Sequence, residues 1–88
     1  MRLDKFLKDT GLVRRRTVAK DLSDAGRIQV DGRVARASAT IRQGQIITLD
    51  LGRKVARYEV ITVPERTPRK EEMDRFVRLL DEQIREDW

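Results

Sequence analysis

The run Arg14-Arg15-Arg16, with Thr17 beside it and Lys20 one turn beyond Arg16, concentrates cationic donors at the start of a predicted helix. Cations at that end oppose the helix dipole, whose amino terminus favours anions. A phosphate reverses the sign of this cost, because the free backbone N–H groups of a helix start and the forks of neighbouring arginines both hydrogen-bond to it. Arg2, Lys5 and Lys8 fall on the solvent side of an earlier helical segment. Two short helices joined by a tight turn can present both rows on one side, which is the electrostatic footprint of a polyanion-binding surface. A solvated basic face is the ordinary reading of a lone charge run, and it is the clustering of the two rows that favours ligand binding. Arg27, Arg33 and Arg36, with Arg42 beyond them, extend the patch along a hairpin, where charge also protects an edge strand from aggregation.

Bond-making chemistry has little to work with. Histidine and cysteine are absent, which removes the usual zinc ligands, thiol nucleophiles and the side chain that titrates nearest neutral pH. Asp4, Asp9, Asp21 and Asp24 stand beside Lys and Arg on charged helix faces, where ion pairing is their ordinary role, and no base or ligand cluster accompanies them. Gly26, Gly32, Gly44 and Gly52 are spaced as turns, not as a phosphate-cradling loop. The chain is therefore expected to be no enzyme, with no catalytic residue, no metal and no cofactor. Aromatic residues make up only 5% of it, and Phe6 reads as core, so shape and phosphate recognition of folded RNA fits better than base stacking.

The charge is uneven. Residues 1–60 carry 14 basic and 7 acidic side chains and residues 61–88 carry 6 and 8, which together make the net +5. The first part should meet the polyanion. No run of 18 apolar residues occurs and the first residues lack a long apolar stretch, so a cytoplasmic protein with no membrane partner is expected.

The elements that must carry these side chains form an α+β fold. Leu3, Phe6 and Leu7 mark one face of a first helix that Thr10-Gly11 stops. A second helix fits Arg15 to Ala25, with Val18, Ala19, Leu22 and Ala25 on its apolar stripe and Gly26 after its last turn. The period then changes to two: Ile28 and Val30 lead into an Asp31-Gly32 turn and return through Val34. Strands follow at Ile46–Leu51 and Val55–Val63, in a small, mostly antiparallel sheet. Pro64 and Pro68 bound a linker over 64–69, so residues 1–63 read as the binding domain. From Lys70, the spacing of Met73, Phe76, Val77, Leu80 and Ile84 predicts a C-terminal amphipathic helix over 70–88.

The stretch Arg16-Thr17-Val18-Ala19-Lys20-Asp21-Leu22, continuing through Ala25-Gly26-Arg27-Ile28-Gln29-Val30-Asp31-Gly32, resembles the S-four RNA-binding domain family. Asp31-Gly32 stands where the family more often has Asn-Gly, and Gly44-Gln45 where Gly-Asp is common; both departures lie in turns. Arg2-Leu3-Asp4-Lys5-Phe6-Leu7, Arg15-Arg16-Thr17, Ala37-Ser38 and Lys70-Glu71-Glu72 are most similar to the stand-alone ribosome-associated quality-control members of that family. The resemblance implies a monomeric factor that binds large ribosomal subunits obstructed by peptidyl-tRNA. It implies contacts to rRNA and tRNA through the basic helices, and support for a nascent-chain tailing factor that extends the stalled chain. A small heat-shock-type relative that recycles free large subunits is the neighbouring alternative within the family. From other classes come a DNA-binding helix-turn-helix regulator and an adaptor that uses the last helix.

Overall fold

The computed structural model describes residues 1–85. Two helices, α1 (Leu3–Asp9) and α2 (Arg16–Asp24), precede the strands β1 (Ile28–Val30), β2 (Arg33–Val34), β3 (Ile46–Asp50) and β4 (Lys54–Val60). A 3-10 turn at Lys70–Arg75 leads into a fifth strand, β5 (Val77–Ile84). All neighbouring strands are antiparallel, in the order β2-β1-β3-β4-β5. The α+β class expected from the sequence is the class observed.

At seven residues α1 is too short to persist alone, so tertiary burial has to hold it. Leu3, Phe6 and Leu7 supply that burial, each without solvent exposure. Thr10 ends the helix by donating both its N–H (3.0 Å) and its Oγ1 hydroxyl (2.7 Å) to the Phe6 carbonyl. Gly11 follows at φ +77°, a left-handed conformation that a side chain would strain. A Cβ there would also stand 3.0 Å from the Met73 sulfur. Farther on, the loop from Ala37 to Ile41 straps the start of the chain. Leu3 N–H donates to Ala39 O (2.7 Å), Asp4 N–H to Ala37 O (3.0 Å), and Ile41 N–H to Met1 O (2.8 Å).

In α2 the buried stripe is narrower than the hydrophobic period suggests. Ala19 and Ser23 are buried and Leu22 is half-buried, whereas Val18 is 41% exposed and Ala25 faces solvent. The two small residues, four apart on one side of the helix, face the core, and Val18, one position before Ala19, falls outside that side.

Alternation then sorts the strands into two faces. Ile28, Ile47, Leu49, Ala56 and Val60 point under the helices and are buried, while Gln29, Thr48, Arg57 and Glu59 share the opposite face. Asp31 (φ +52°) and Gly32 (φ +82°) make the tight turn between β1 and β2, both in the left-handed region that a type I′ turn requires. Asp31 fixes that turn by accepting the Ile46 N–H at 2.9 Å.

The C-terminal amphipathic helix expected over 70–88 is not formed. Residues 70–75 make a single 3-10 element, residues 77–84 are a strand, and the last three positions of the expected helix lie outside the described residues. The apolar spacing fits a helix, but β4 would otherwise leave a row of backbone N–H and C=O groups unpaired. Antiparallel pairing satisfies them and aligns the charges: Glu59 lies opposite Arg78 and Arg57 opposite Asp81. Each of these couples is an ion pair, and Lys54 reaches Glu82 at 3.6 Å. Tyr58 pairs with Leu79 and Arg57 with Asp81, so Leu80 is the extra residue of a bulge.

Two measurements test this packing. Phe6→Ala should cost about 3–5 kcal/mol in denaturant melts, a large share of the stability of so small a domain. A chain cut after Pro68 should keep its helical ellipticity at 222 nm, because both helices precede the cut, while its unfolding midpoint falls; a collapse of the 222 nm signal would restore the helical reading of the tail.

Candidate nucleic-acid interface

The turn between the helices is built to face outward. Val13 is buried and its N–H donates to Leu7 O at 3.1 Å, which pins the turn at one point and leaves Arg14 and Arg15 in solvent. Arg15 is the residue before α2, in extended backbone, with no side-chain cap and with no acidic residue in the helix's first turn. Arg16, Thr17 and Lys20 are exposed on the helix that follows. An uncapped, acid-free helix start beside three arginines leaves N–H donors and guanidinium groups for an anion.

Two buried carboxylates organise the cations on α1. Asp4 is only 5% exposed, yet it meets two arginines from different parts of the chain. Arg2 donates through Nε (3.1 Å) and Nη2 (3.2 Å), and Arg16 donates through Nη2 to both carboxylate oxygens (3.2 and 3.3 Å). The Lys5 N–H adds a further bond at 2.7 Å. Burial by itself would raise the Asp4 pKa; the hydrogen bonds from Arg2, the Lys5 N–H and Arg16 outweigh it and hold the carboxyl below its ordinary value. Asp9, 2% exposed, pairs with Lys5 and Lys8. Both acids make the ion pairs expected of carboxylates on charged helix faces, but both carboxylates are buried. The Lys5–Asp9 spacing of four residues was the available signal for one of these pairs.

The remaining residues proposed from sequence fall in two groups. Arg36 immediately precedes Ala37, whose carbonyl accepts the Asp4 N–H, so it lies at the same end as Arg2 and Arg16. Lys20 pairs with Asp24 at 2.9 Å in solvent. Arg27 sits at the foot of β1, where its carbonyl accepts the Asp50 N–H at 2.9 Å, and Arg33 lies in β2 opposite Val30. The fold thus gathers Arg2, Lys5, Lys8, Arg16 and Arg36 around α1 with Arg14 and Arg15 on the adjoining turn, and sets Arg27 and Arg33 on the sheet. Among the described residues, no group of three or more acids could hold a metal ion, and no helix is long and apolar enough to cross a membrane.

Two short helices laid over one face of an antiparallel sheet, with cations tied to buried acids, define a compact basic α+β domain. Residues 1–47 match the S4 domain family, and the chain belongs to that family. The Bacillus subtilis protein named RQC P-site tRNA stabilizing factor is 37% identical over 98% of this chain and 100% of its own length. The protein of that name from Halalkalibacterium halodurans is 46% identical over 82% of this chain and 81% of its own. The trimeric structure of Vibrio cholerae heat shock protein 15 superposes with a TM-score of 0.82 over 90% of this chain and 80% of that one; at 23% identity this likeness shows the fold alone.

Because the folded-state pKa of Asp4 is lowered, its contribution to stability is present above the unfolded value of about 4 and is lost as pH falls through the folded value. Asp4→Asn should therefore lower stability by about 1–2 kcal/mol at neutral pH, discounted because both guanidiniums are half exposed. The gap between variant and wild type should close as pH drops below about 4 in melts across that range; a gap that persists at low pH would remove Asp4 from the stability balance.

Proposed function

We propose that this protein is a non-catalytic, cytoplasmic, monomeric RNA-binding factor that engages large ribosomal subunits still carrying peptidyl-tRNA. The observation that carries the reading is the surface of α1 and the α1–α2 turn. Arg14 and Arg15 are exposed and make no ion pair among the described residues, beside a helix start without a cap. Cations left unpaired at a site where the helix dipole disfavours them are accounted for by a phosphate ligand. In this reading Arg14, Arg15 and the free donors of Arg2, Arg16 and Lys20 contact rRNA and tRNA phosphates, with Thr17 supplying a hydroxyl. Arg27, Arg33 and Arg36 reach a neighbouring stretch of backbone. The relatives named as P-site tRNA stabilizing factors support the ribosomal setting. A factor that steadies tRNA there would assist a nascent-chain tailing factor without making or breaking a bond itself.

If about four to six phosphates are neutralised, the logarithm of affinity for tRNA or isolated large subunits should fall with the logarithm of salt at a slope on the order of −3 to −5. Replacing Arg14 and Arg15 together by alanine should weaken binding on the order of tenfold near 0.1 M salt and flatten that slope by about 2, with an unchanged melt. Arg16 is less suited to this test, since it also ties α2 to Asp4. Affinity indifferent to salt, or a double variant that binds as wild type does, would remove the phosphate-binding reading.

A further inference from the structure

Asp9 is the last residue of α1 and its side chain is 1% exposed. Two costs attach to a carboxylate there. The carboxyl end of a helix dipole repels an anion, and burial strips the group of water. A design concerned only with stability would place an apolar or neutral residue at this position. What the acid obtains instead is two lysines from its own helix. Lys5 Nζ donates to Oδ2, and Lys8 Nζ lies 3.7 Å from Oδ1. Both lysine side chains stay open to solvent, 39% and 46% exposed, so their ammonium groups are held at the surface while the acid that holds them is covered.

A lysine has a long flexible stem and three donors. Free in solvent it must lose rotamer freedom on binding a phosphate, which subtracts from affinity. Two ammonium groups drawn to the two oxygens of one carboxylate have already lost part of that freedom: Lys5 spends one donor on Asp9 and keeps two for a ligand, and Lys8, held at 3.7 Å by charge without a hydrogen bond, keeps all three. Asp4 does the same for Arg2 and Arg16, and the Lys5 N–H bonds to Asp4, so the two sets adjoin.

We infer that Asp9 is a positioning residue that presents Lys5 and Lys8 as a fixed pair to RNA phosphates. The inference rests on the RNA-binding function proposed above and adds a residue that does not touch the ligand. Its test turns on a sign. An acid that merely lies near bound RNA repels phosphate, so removing its charge tightens binding. An acid that positions two lysines does the opposite.

The experiment measures binding of the full chain to unfractionated tRNA across a salt series, at a temperature where circular dichroism shows every variant folded. Asp9→Asn is expected to bind on the order of tenfold more weakly than wild type, with the salt slope flattened by about 1–2. Adding Lys5→Met and Lys8→Met to Asp9→Asn should then change affinity less than about twofold, because the lysines no longer act as a pair once their anchor is gone. Asp9→Asn that binds as well as or better than wild type overturns the inference, and so does a triple variant far weaker than Asp9→Asn. Should Asp9→Asn fold at no temperature, amine acetylation of wild-type protein decides: tRNA must protect Lys5 and Lys8 together, and protection of neither overturns the inference. Wild-type protein that does not bind tRNA overturns the RNA-binding function itself, a result distinct from any behaviour of Asp9→Asn.

Discussion

A charged carboxylate cannot be buried in a thin protein unless cations and donors come to it, and this domain buries two, at either end of a seven-residue helix. Asp4 draws in Arg2 from one side and Arg16 from α2, which ties the helices together through a charge pair and not through packing alone. Asp9 draws in Lys5 and Lys8. Much of the rest follows. The cations that must pair with these acids are necessarily at the surface of α1, and Arg14 and Arg15, on the turn that Val13 anchors, are added to a surface already positive.

The charge on the sheet is arranged differently. Across β4 and β5 the residues pair one to one: Arg57 with Asp81, Glu59 with Arg78, Lys54 with Glu82. Exposed pairs of this kind add little stability, but they set register and leave the face nearly neutral. Farther along, Arg85 closes β5 onto the β3–β4 turn, donating to Asp50 and to the Gly52 carbonyl. Among the described residues Arg14 and Arg15 on the helical side make no ion pair, whereas the charges that face each other across β4 and β5 are paired. The positive potential around the α1–α2 turn is therefore set by the distribution of partners more than by the net charge.

The match to the S4 domain family ends at residue 47, at the second position of β3, yet the sheet continues through β4 and β5. The 3-10 element before β5 also reaches back to the candidate interface, since Met73 lies over Gly11 in the turn that carries Arg14 and Arg15. The C-terminal segment is thus part of the support of the helical surface, and the alignment with the Bacillus subtilis relative runs over nearly the whole chain.

Local rules were enough for much of this protein. Leu3, Phe6 and Leu7 at helical spacing, the Thr10-Gly11 stop, the Asp31-Gly32 turn and the period of two at Ile28 and Val30 were legible because each depends on neighbours within a few positions. The exposure of Arg14, Arg15, Arg16 and Lys20 could be read in the same way. Three features could not. Val18 and Ala25 lie outside the buried stripe because α2 meets the core through Ala19 and Ser23; Asp4 is buried with Arg16, twelve residues away, paired to it; and residues 77–84 form a strand although their apolar spacing suits a helix. An amphipathic period states only that a segment has an apolar side. Whether that segment coils or extends was decided by the open hydrogen-bonding edge of β4 and its complementary charges, which exist only once the rest of the sheet has formed.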